Sequence, residues 1–261
     1  MTAADAPGGA RTSEWDGAAY DRLADPQARW GHDVLHRLVA GGDETVLDAG
    51  CGSGRVTEAL LARLPDGRVV ALDASASMLG EARRRLAPHG DRVRFVQTDL
   101  LELGPSTLGD DHPVDAVLST ATFHWVTDHA RLFANLAAVI RLDGQLVAQY
   151  GAEGNLDTLL AAVRSLGVER VGTWRYASAD ETVALLERAG FPDPDVWTNP
   201  APTRFDDPDV LAEFLSAVIL REHLATLAPS DRRPFAERVV DAMPEPVIDY
   251  VRLNVVARRG H

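Results

Sequence analysis

Lysine is missing altogether from these 261 residues, so every one of the 26 cationic side chains other than histidine is an arginine. That excludes a Schiff-base enzyme and a Walker A phosphate loop, and it leaves arginine as the side chain that must pair with any anionic ligand. Cysteine occurs once, at Cys51, so neither an internal disulfide nor a thiolate metal cluster can form. No apolar run reaches the roughly 18 residues of a membrane span, and the N-terminal MTAADAPGGARTSEW has no stretch resembling a signal peptide, so a cytoplasmic protein with no membrane partner is expected. A basic tail is also lacking. With a net charge of −13, the chain is not expected to bind nucleic acid, which recruits basic patches.

Glycine, by contrast, is concentrated where it counts. Val46 to Arg55 read VLDAGCGSGR: an apolar run with Asp48 passes into Gly50, Gly52 and Gly54, and the following RVTEALLARL spaces Val56, Leu60, Leu61 and Leu64 as a helix does. This is a strand, a tight turn and a helix. Positive φ is cheap only without a Cβ, and a ligand can then lie against bare backbone with the N–H groups of the following helix aimed at it, which points to a nucleoside-bearing ligand. A dinucleotide fingerprint beginning at Gly50 would need glycine at position 55, where Arg55 stands; the spacing is G-x-G-x-G instead.

Three more strand ends follow. Arg68 to Leu72 ends at Asp73, before a helix capped by Ser75 or Ser77; Val93 to Val96 ends near Asp99; Val114 to Leu118 leads into TATFHWVTD. An acid at the tip of the second strand can accept both ribose hydroxyls, a device NAD-binding folds share. Ligands of open parallel sheets bind outside the carboxyl ends of the strands, so the agreement of four such ends is what the geometry of that fold demands.

The G-x-G-x-G loop with Asp48 before it, Asp73, and Asp99 together resemble the class I methyltransferases that use S-adenosylmethionine (SAM). YDRLA (Tyr20 to Ala24), Arg29 nine residues after Tyr20, FHWVTDH (Phe123 to His129) and the closing VVARR (Val255 to Arg259) narrow the resemblance to the trans-aconitate methyltransferase group. It implies an α/β, Rossmann-like, doubly wound seven-stranded sheet with N-terminal helices and a helical cap. It also implies SAM as cofactor, with S-adenosylhomocysteine (SAH) as product, held by Tyr20, Arg29, Asp48, Gly50, Cys51, Gly52, Asp73, Ala74, Met78, Thr98, Asp99, Leu100 and Thr120. In that reading Asp99 accepts the adenine amino proton and Arg29 pairs with the methionine carboxylate; an exposed helix charge is the other reading of Arg29. Cys51 between two glycines reads as backbone packing rather than as a nucleophile.

The rest of the chain is read more coarsely. Residues 1–13 are expected as a disordered tail. Residues 14–261 are expected as one domain: lid helices over 14–43, broken near Pro26, a SAM-binding core over 44–150, and cap insertions over 151–180 and 206–245. A helix is expected over Asp128 to Ile140, closed by the turn RLDG before a fifth strand at Gln145 to Tyr150. Helices are expected at Asn155 to Gly167, Ala179 to Ala189, Pro208 to Ala228 and Ser230 to Met243. Strands at Asp195 to Arg204 and Val247 to Arg258 are then sixth and seventh, the last one antiparallel.

Methyl transfer from a sulfonium is an in-line displacement. A carboxylate acceptor is already ionised and needs an arginine or hydroxyls to hold it, whereas a hydroxyl or an enolisable carbon needs a base. His124 in the loop after the fourth strand is the candidate base or substrate ligand, a structural role beside the cofactor being its other reading. Trp30, Trp125, Tyr150, Trp174 and Arg175 are the candidate pocket lining, alongside apolar Phe214, Leu215, Val218 and Ile219 of the cap. The function expected is carboxyl O-methylation of a small molecule. O- or C-methylation of a natural product with His124 as base, and a SAM sensor without turnover, stay open beside it. A strongly negative surface repels polycarboxylates at long range unless arginines make the pocket mouth positive, so an aliphatic acid or a natural-product intermediate is as plausible as trans-aconitate. His32 and His36 stand four apart in HDVLH, like two metal ligands on one helix, but Asp33 is a carbon short of the glutamate that such a motif uses and no third ligand follows, so no metal is expected.

Overall fold

The computed structural model describes the backbone of residues 25–261 and the side chains from residue 30 onward. Tyr20, the side chain of Arg29, the tail over 1–13 and the first of the expected lid helices lie outside the described residues.

One seven-stranded sheet organises the chain. It comprises β1 (Thr45–Ala49), β2 (Arg68–Asp73), β3 (Val93–Gln97), β4 (Val114–Thr120), β5 (Ile140–Gly151), β6 (Asp195–Pro200) and the last strand, β9 (Val251–Arg258), in the order β3-β2-β1-β4-β5-β9-β6. The first five strands pair in parallel, and β9 runs antiparallel between β5 and β6. The strand order reverses between β1 and β4, so the carboxyl ends of those two strands flank the crevice where such sheets bind ligands. This is the doubly wound α/β fold that the sequence led us to expect.

Helices cover both faces because each has one apolar stripe. On one face α1 (Asp25–Arg37), α2 (Arg55–Arg63) and α3 (Ala76–Leu86) bury Val34, Leu35, Leu60, Leu61 and Leu79 against Val46, Val69 and Val147. His32 and His36 are exposed on α1, on the side away from that stripe. On the other face α4 (His129–Val139) and α6 (Ala179–Ala189) bury Phe133, Leu136 and Leu186 with Leu253 and Val255. Ser75 caps α3 through Met78 N–H at 3.3 Å, and Asp128 caps α4 through Arg131 N–H at 3.0 Å.

Pro26, near which a break between helices is expected, sits in the first turn of α1, where its missing N–H costs nothing. Several other element boundaries differ from expectation. RLDG is no turn between helix and strand: α4 ends at Val139 and β5 runs on through these residues, with a register irregularity against β4 and Asp143 at φ 61°. The strand expected to reach Arg204 stops at Pro200, because Pro200 and Pro202 bring no N–H to a ladder. Its remainder, β7 (Thr203–Arg204), pairs instead with β8 (Val247–Ile248) in a separate ribbon, leaving β9 to begin at Val251. The long helix expected from Pro208 is α7 (Pro208–Phe214), a π-helical turn at Leu215–Ile219 and α8 (Arg221–Ala225).

These pieces, with α5 (Asp157–Ser165) and α9 (Pro229–Ala242), enclose an apolar core of their own. Phe214, Leu215, Val218 and Ile219 are buried in it against Leu159, Val163, Phe235 and Val239. Trp30, Trp174 and Tyr176 pack against the same core, so the apolar stripe buries one face here without showing what a substrate would meet. Among the described residues no helix is long and apolar enough to cross a membrane, and no three potential metal ligands cluster.

Candidate active site

The glycine loop after β1 is held in the left-handed region, with φ of 83° at Gly50, 53° at Gly52 and 82° at Gly54, where a Cβ costs about 1–2 kcal/mol. The first two differ in what surrounds them. A Cβ on Gly50 would stand 2.3 Å from the Thr122 side chain, whereas nothing lies within 4 Å of one on Gly52. Gly52 thus presents bare backbone to the space above the sheet, the surface a flat ligand needs.

The loop's own N–H groups turn the other way. Gly50 and Cys51 donate to the Leu72 carbonyl at 2.8 and 2.9 Å, Gly52 to Asp73 Oδ2 at 2.9 Å, and Gly54 to the Cys51 carbonyl at 3.0 Å. These donors strap the loop over the end of β2. Cys51 is buried, its thiol directed at the Gly52 carbonyl at 3.7 Å, and burial pushes its pKa well above the usual thiol value, so it stays protonated and serves as packing.

Three carboxylates line this rim at different depths. Asp48 is buried beneath the loop; its Oδ2 accepts from Thr57 Oγ1 at 2.6 Å, while Oδ1 has no partner among the described residues. Burial raises its pKa to about 7, against the pull of the Thr57 hydrogen bond and helped by the nearby charge of Asp73. A leftover acceptor at that depth is one that a cationic amino group would satisfy. Asp73 is half-buried at the tip of β2, its oxygens accepting from Gly52 N–H at 2.9 Å and Ser75 N–H at 2.8 Å, and burial raises its pKa. Each oxygen keeps room for a second donor, matching the two hydroxyls of a ribose. Asp99 stands exposed after β3 with Oδ1 on Leu101 N–H at 2.8 Å, and Thr98 N–H ties that segment to the Asp73 carbonyl at 3.2 Å. Ala74 lies half-buried beside Asp73, and Met78 is buried behind it. Thr120 closes β4 with its carbonyl accepting from Thr122 Oγ1 at 3.0 Å. Leu100 buries its side chain in the core, so it offers a ligand only backbone. The set fits an adenosyl cofactor with an amino-acid end.

Beyond β4 the chain builds a second group of side chains around the end of β5. His124 is 9% exposed, and its Nδ1 accepts from Gly151 N–H at 3.4 Å, which places the ring proton on Nε2. Burial, then the charges of Arg252 and His129, hold its pKa well below the usual imidazole value. Its ring lies 5.3 Å from Trp125 and 6.0 Å from Tyr176, and Tyr176 stacks on Trp174 at 6.0 Å. Arg175 N–H donates to the His124 carbonyl at 2.8 Å, and Ala152 bridges to Ala177, so the segment carrying Trp174 and Tyr176 is laced to both the His124 loop and β5.

Comparison with known proteins gives this geometry a lineage. Residues 46–144 match the family described as "Methyltransferase domain". The trans-aconitate 2-methyltransferase of Methylobacterium nodulans is 30% identical over 95% of this chain and 99% of its own length, and that of Azoarcus sp. strain BH72 is 29% identical over 92% and 94%. The chain belongs to the methyltransferase family of the trans-aconitate 2-methyltransferases. Solved structures share the fold at lower identity. Phosphoethanolamine N-methyltransferase 2 of Haemonchus contortus, in complex with SAM, superposes with a TM-score of 0.62 at 16% identity over 94% of this chain and 57% of that one. Geranyl diphosphate methyltransferase in complex with SAM gives 0.57 at 19% identity over 96% and 93%.

Within this methyltransferase, two of the expected pocket residues face elsewhere. Tyr150 is fully buried, its hydroxyl 3.4 Å from Thr182 Oγ1 and its ring among Phe123 and His129. Alternation along β5 turns it into the core, on the side opposite Gln149 and Gly151. Arg175 directs its guanidinium to Glu181 and to the Thr127 carbonyl, an outward-facing ion pair. Trp125 and Trp174 meet edge to face at 5.7 Å, both half-buried. Trp30 lies half-buried 5.0 Å from Tyr250, with the Arg252 guanidinium 4.4 Å over its ring.

Sequence reasoning passed over Tyr176, Thr122 and Arg252. Tyr176 follows Trp174 in GTWRY, where the tryptophan and arginine drew the attention. Thr122 gave no signal before the fold put it against Gly50. Arg252 did carry one: VRLNVVAR sets an arginine and Asn254 among apolar residues within a strand.

Proposed function

We propose that this methyltransferase transfers the methyl group of SAM to a carboxylate oxygen of a small molecule in the cytoplasm, with no metal, nucleic acid or membrane partner. Asp73 would hold the ribose hydroxyls, Asp99 the adenine amino group, and Asp48 with the glycine loop the amino-acid end. When bound, SAM supplies an electrophilic methyl on a sulfonium, so that a C–O bond forms as the C–S bond breaks and an ester and SAH result with no proton to remove.

The observation that carries the carboxylate reading is the state of His124. Its one lone pair is taken by Gly151 N–H and burial keeps the ring neutral, so it has no basic nitrogen to offer a hydroxyl substrate. What it offers is the Nε2 proton, a donor suited to a carboxylate oxygen. The relatives named for trans-aconitate support an unsaturated polycarboxylate as the substrate class.

Incubation with methyl-labelled SAM and a series of mono-, di- and tricarboxylates tests this. Label should appear in a product that mild alkali releases as methanol, as an ester does. Replacing His124 with alanine should lower kcat by less than about tenfold, since a general base is worth about 10²–10⁴. A labelled ether or C-methyl product, or no turnover with any acid, would overturn the reading.

A further inference from the structure

We propose that His129 is a positioning residue for the substrate side, a buried strut whose hydrogen bond to the Phe123 carbonyl fixes where His124 stands. The inference rests on the carboxylate reading above, which sets His124 against the acceptor, and it names the group that holds His124 there.

Phe123–Trp125 is a single 3-10 turn between β4 and α4, approached through Ala121 at φ 53°, a left-handed conformation that alanine adopts only at a cost. So short a turn needs holding from outside. One hold is the Arg175 N–H on the His124 carbonyl. The other comes from within the core: His129, the first residue of α4 and fully buried, donates Nε2–H to the Phe123 carbonyl at 3.0 Å. A carbonyl only accepts, so the ring proton is on Nε2 and Nδ1 is bare. Nδ1 has no hydrogen-bond partner among the described residues. Burial, against the pull of the bond to Phe123, holds the pKa of His129 below the usual imidazole value, so the ring stays neutral. An orphaned nitrogen makes histidine a poor filler for an apolar core, where phenylalanine or leucine would leave no acceptor unmet. What histidine brings, and they do not, is the donor. Its ring is also kept in place: Phe133 and Tyr150 each lie 5.8 Å from it, and both meet the ring of Phe123 as well. The cofactor side is fastened separately, because Thr122 Oγ1 donates to the Gly50 and Thr120 carbonyls at 3.2 and 3.0 Å. Loss of the strut should therefore be felt at His124 and not at the glycine loop.

Three substitutions separate the donor from the bulk. Glutamine can set an N–H where Nε2 of histidine stands, asparagine is one carbon too short, and phenylalanine fills the space with no donor. With the acid that wild type methylates, His129→Asn and His129→Phe should raise KM about tenfold with kcat within about threefold, and His129→Gln should recover most of that loss. SAH affinity should stay within about twofold in all three. Imidazole nitrogen NMR gives a readout that needs no substrate: the His124 signals, those of one Nε2–H tautomer in wild type and in His129→Gln, should shift or broaden in His129→Asn and His129→Phe. Equal KM in His129→Gln and His129→Asn, or His124 signals unchanged in both His129→Asn and His129→Phe, would overturn the assignment. If wild type binds SAH but methylates no acid, the carboxylate reading fails, and the NMR comparison alone decides whether His129 holds His124. Should His129→Phe fail to fold, the contrast between His129→Gln and His129→Asn decides in its place.

Discussion

A carboxyl group that ionises near neutrality inside a folded core works against the fold, and Asp48 is such a group. Its pKa stands at about 7 in the folded chain against 3.8 for a free carboxyl, so between those values the folded state holds a proton that the unfolded state has released. The contribution of Asp48 to stability is fully present below about pH 4, falls as pH rises, and is gone once pH passes about 7. The span is worth up to about 4 kcal/mol. Asp48→Asn keeps an oxygen for Thr57 and removes the titration. Urea unfolding of both proteins at pH 5 and pH 8, without cofactor, should show the variant gaining on wild type by a few kcal/mol between the two. An equal difference at both pH values would show that Asp48 does not change its charge across that range. The residue announced itself in the sequence, two places before Gly50, but its depth did not, because burial is set by the strands on either side.

At the scale of elements, the glycine loop separates two jobs that the sequence shows as one pattern. Gly50 is required for the loop to close on Thr122, Gly52 for the loop to stay bare. Gly50→Ala should therefore lower the melting temperature strongly and abolish SAM binding with it. Gly52→Ala should cost only about 1 kcal/mol of stability for its left-handed backbone, yet weaken SAM tenfold or more as its methyl intrudes on the cradle. Thermal melts paired with SAM titrations decide this; equal loss of stability in both variants would refute the division.

The same contrast explains what was legible. Glycines and acids at strand ends announce themselves because few residue types can do those tasks, so the rim could be read from Val46 to Asp99. Helices of the cap could be found by periodicity, but Phe214 and Val218 face Phe235 and Val239 for reasons that lie in a distant part of the chain. Tyr150 and Gly151 are neighbours on β5 that face opposite ways. Only the true register, which begins with the irregularity at 140–145, settles which of them meets the site.

For the whole molecule, the net charge of −13 and a carboxylate substrate pull against each other. A polycarboxylate approaching from solution meets a repulsive field before it can reach the rim of the sheet, where short-range contacts hold it. Screening removes the first effect more than the second. The Debye length shrinks from about 30 Å at 0.01 M salt to about 8 Å at 0.15 M, so long-range repulsion fades while a buried contact persists. The Michaelis constant for trans-aconitate, or for whichever acid the protein accepts, should thus fall by about two- to fivefold over that range as a neutral salt is added. The dependence should be steeper for a tricarboxylate than for a monocarboxylate. Opposite behaviour, with binding weakened by salt, would mean that a positive mouth outweighs the acidic surface and that capture is steered by arginines around the rim.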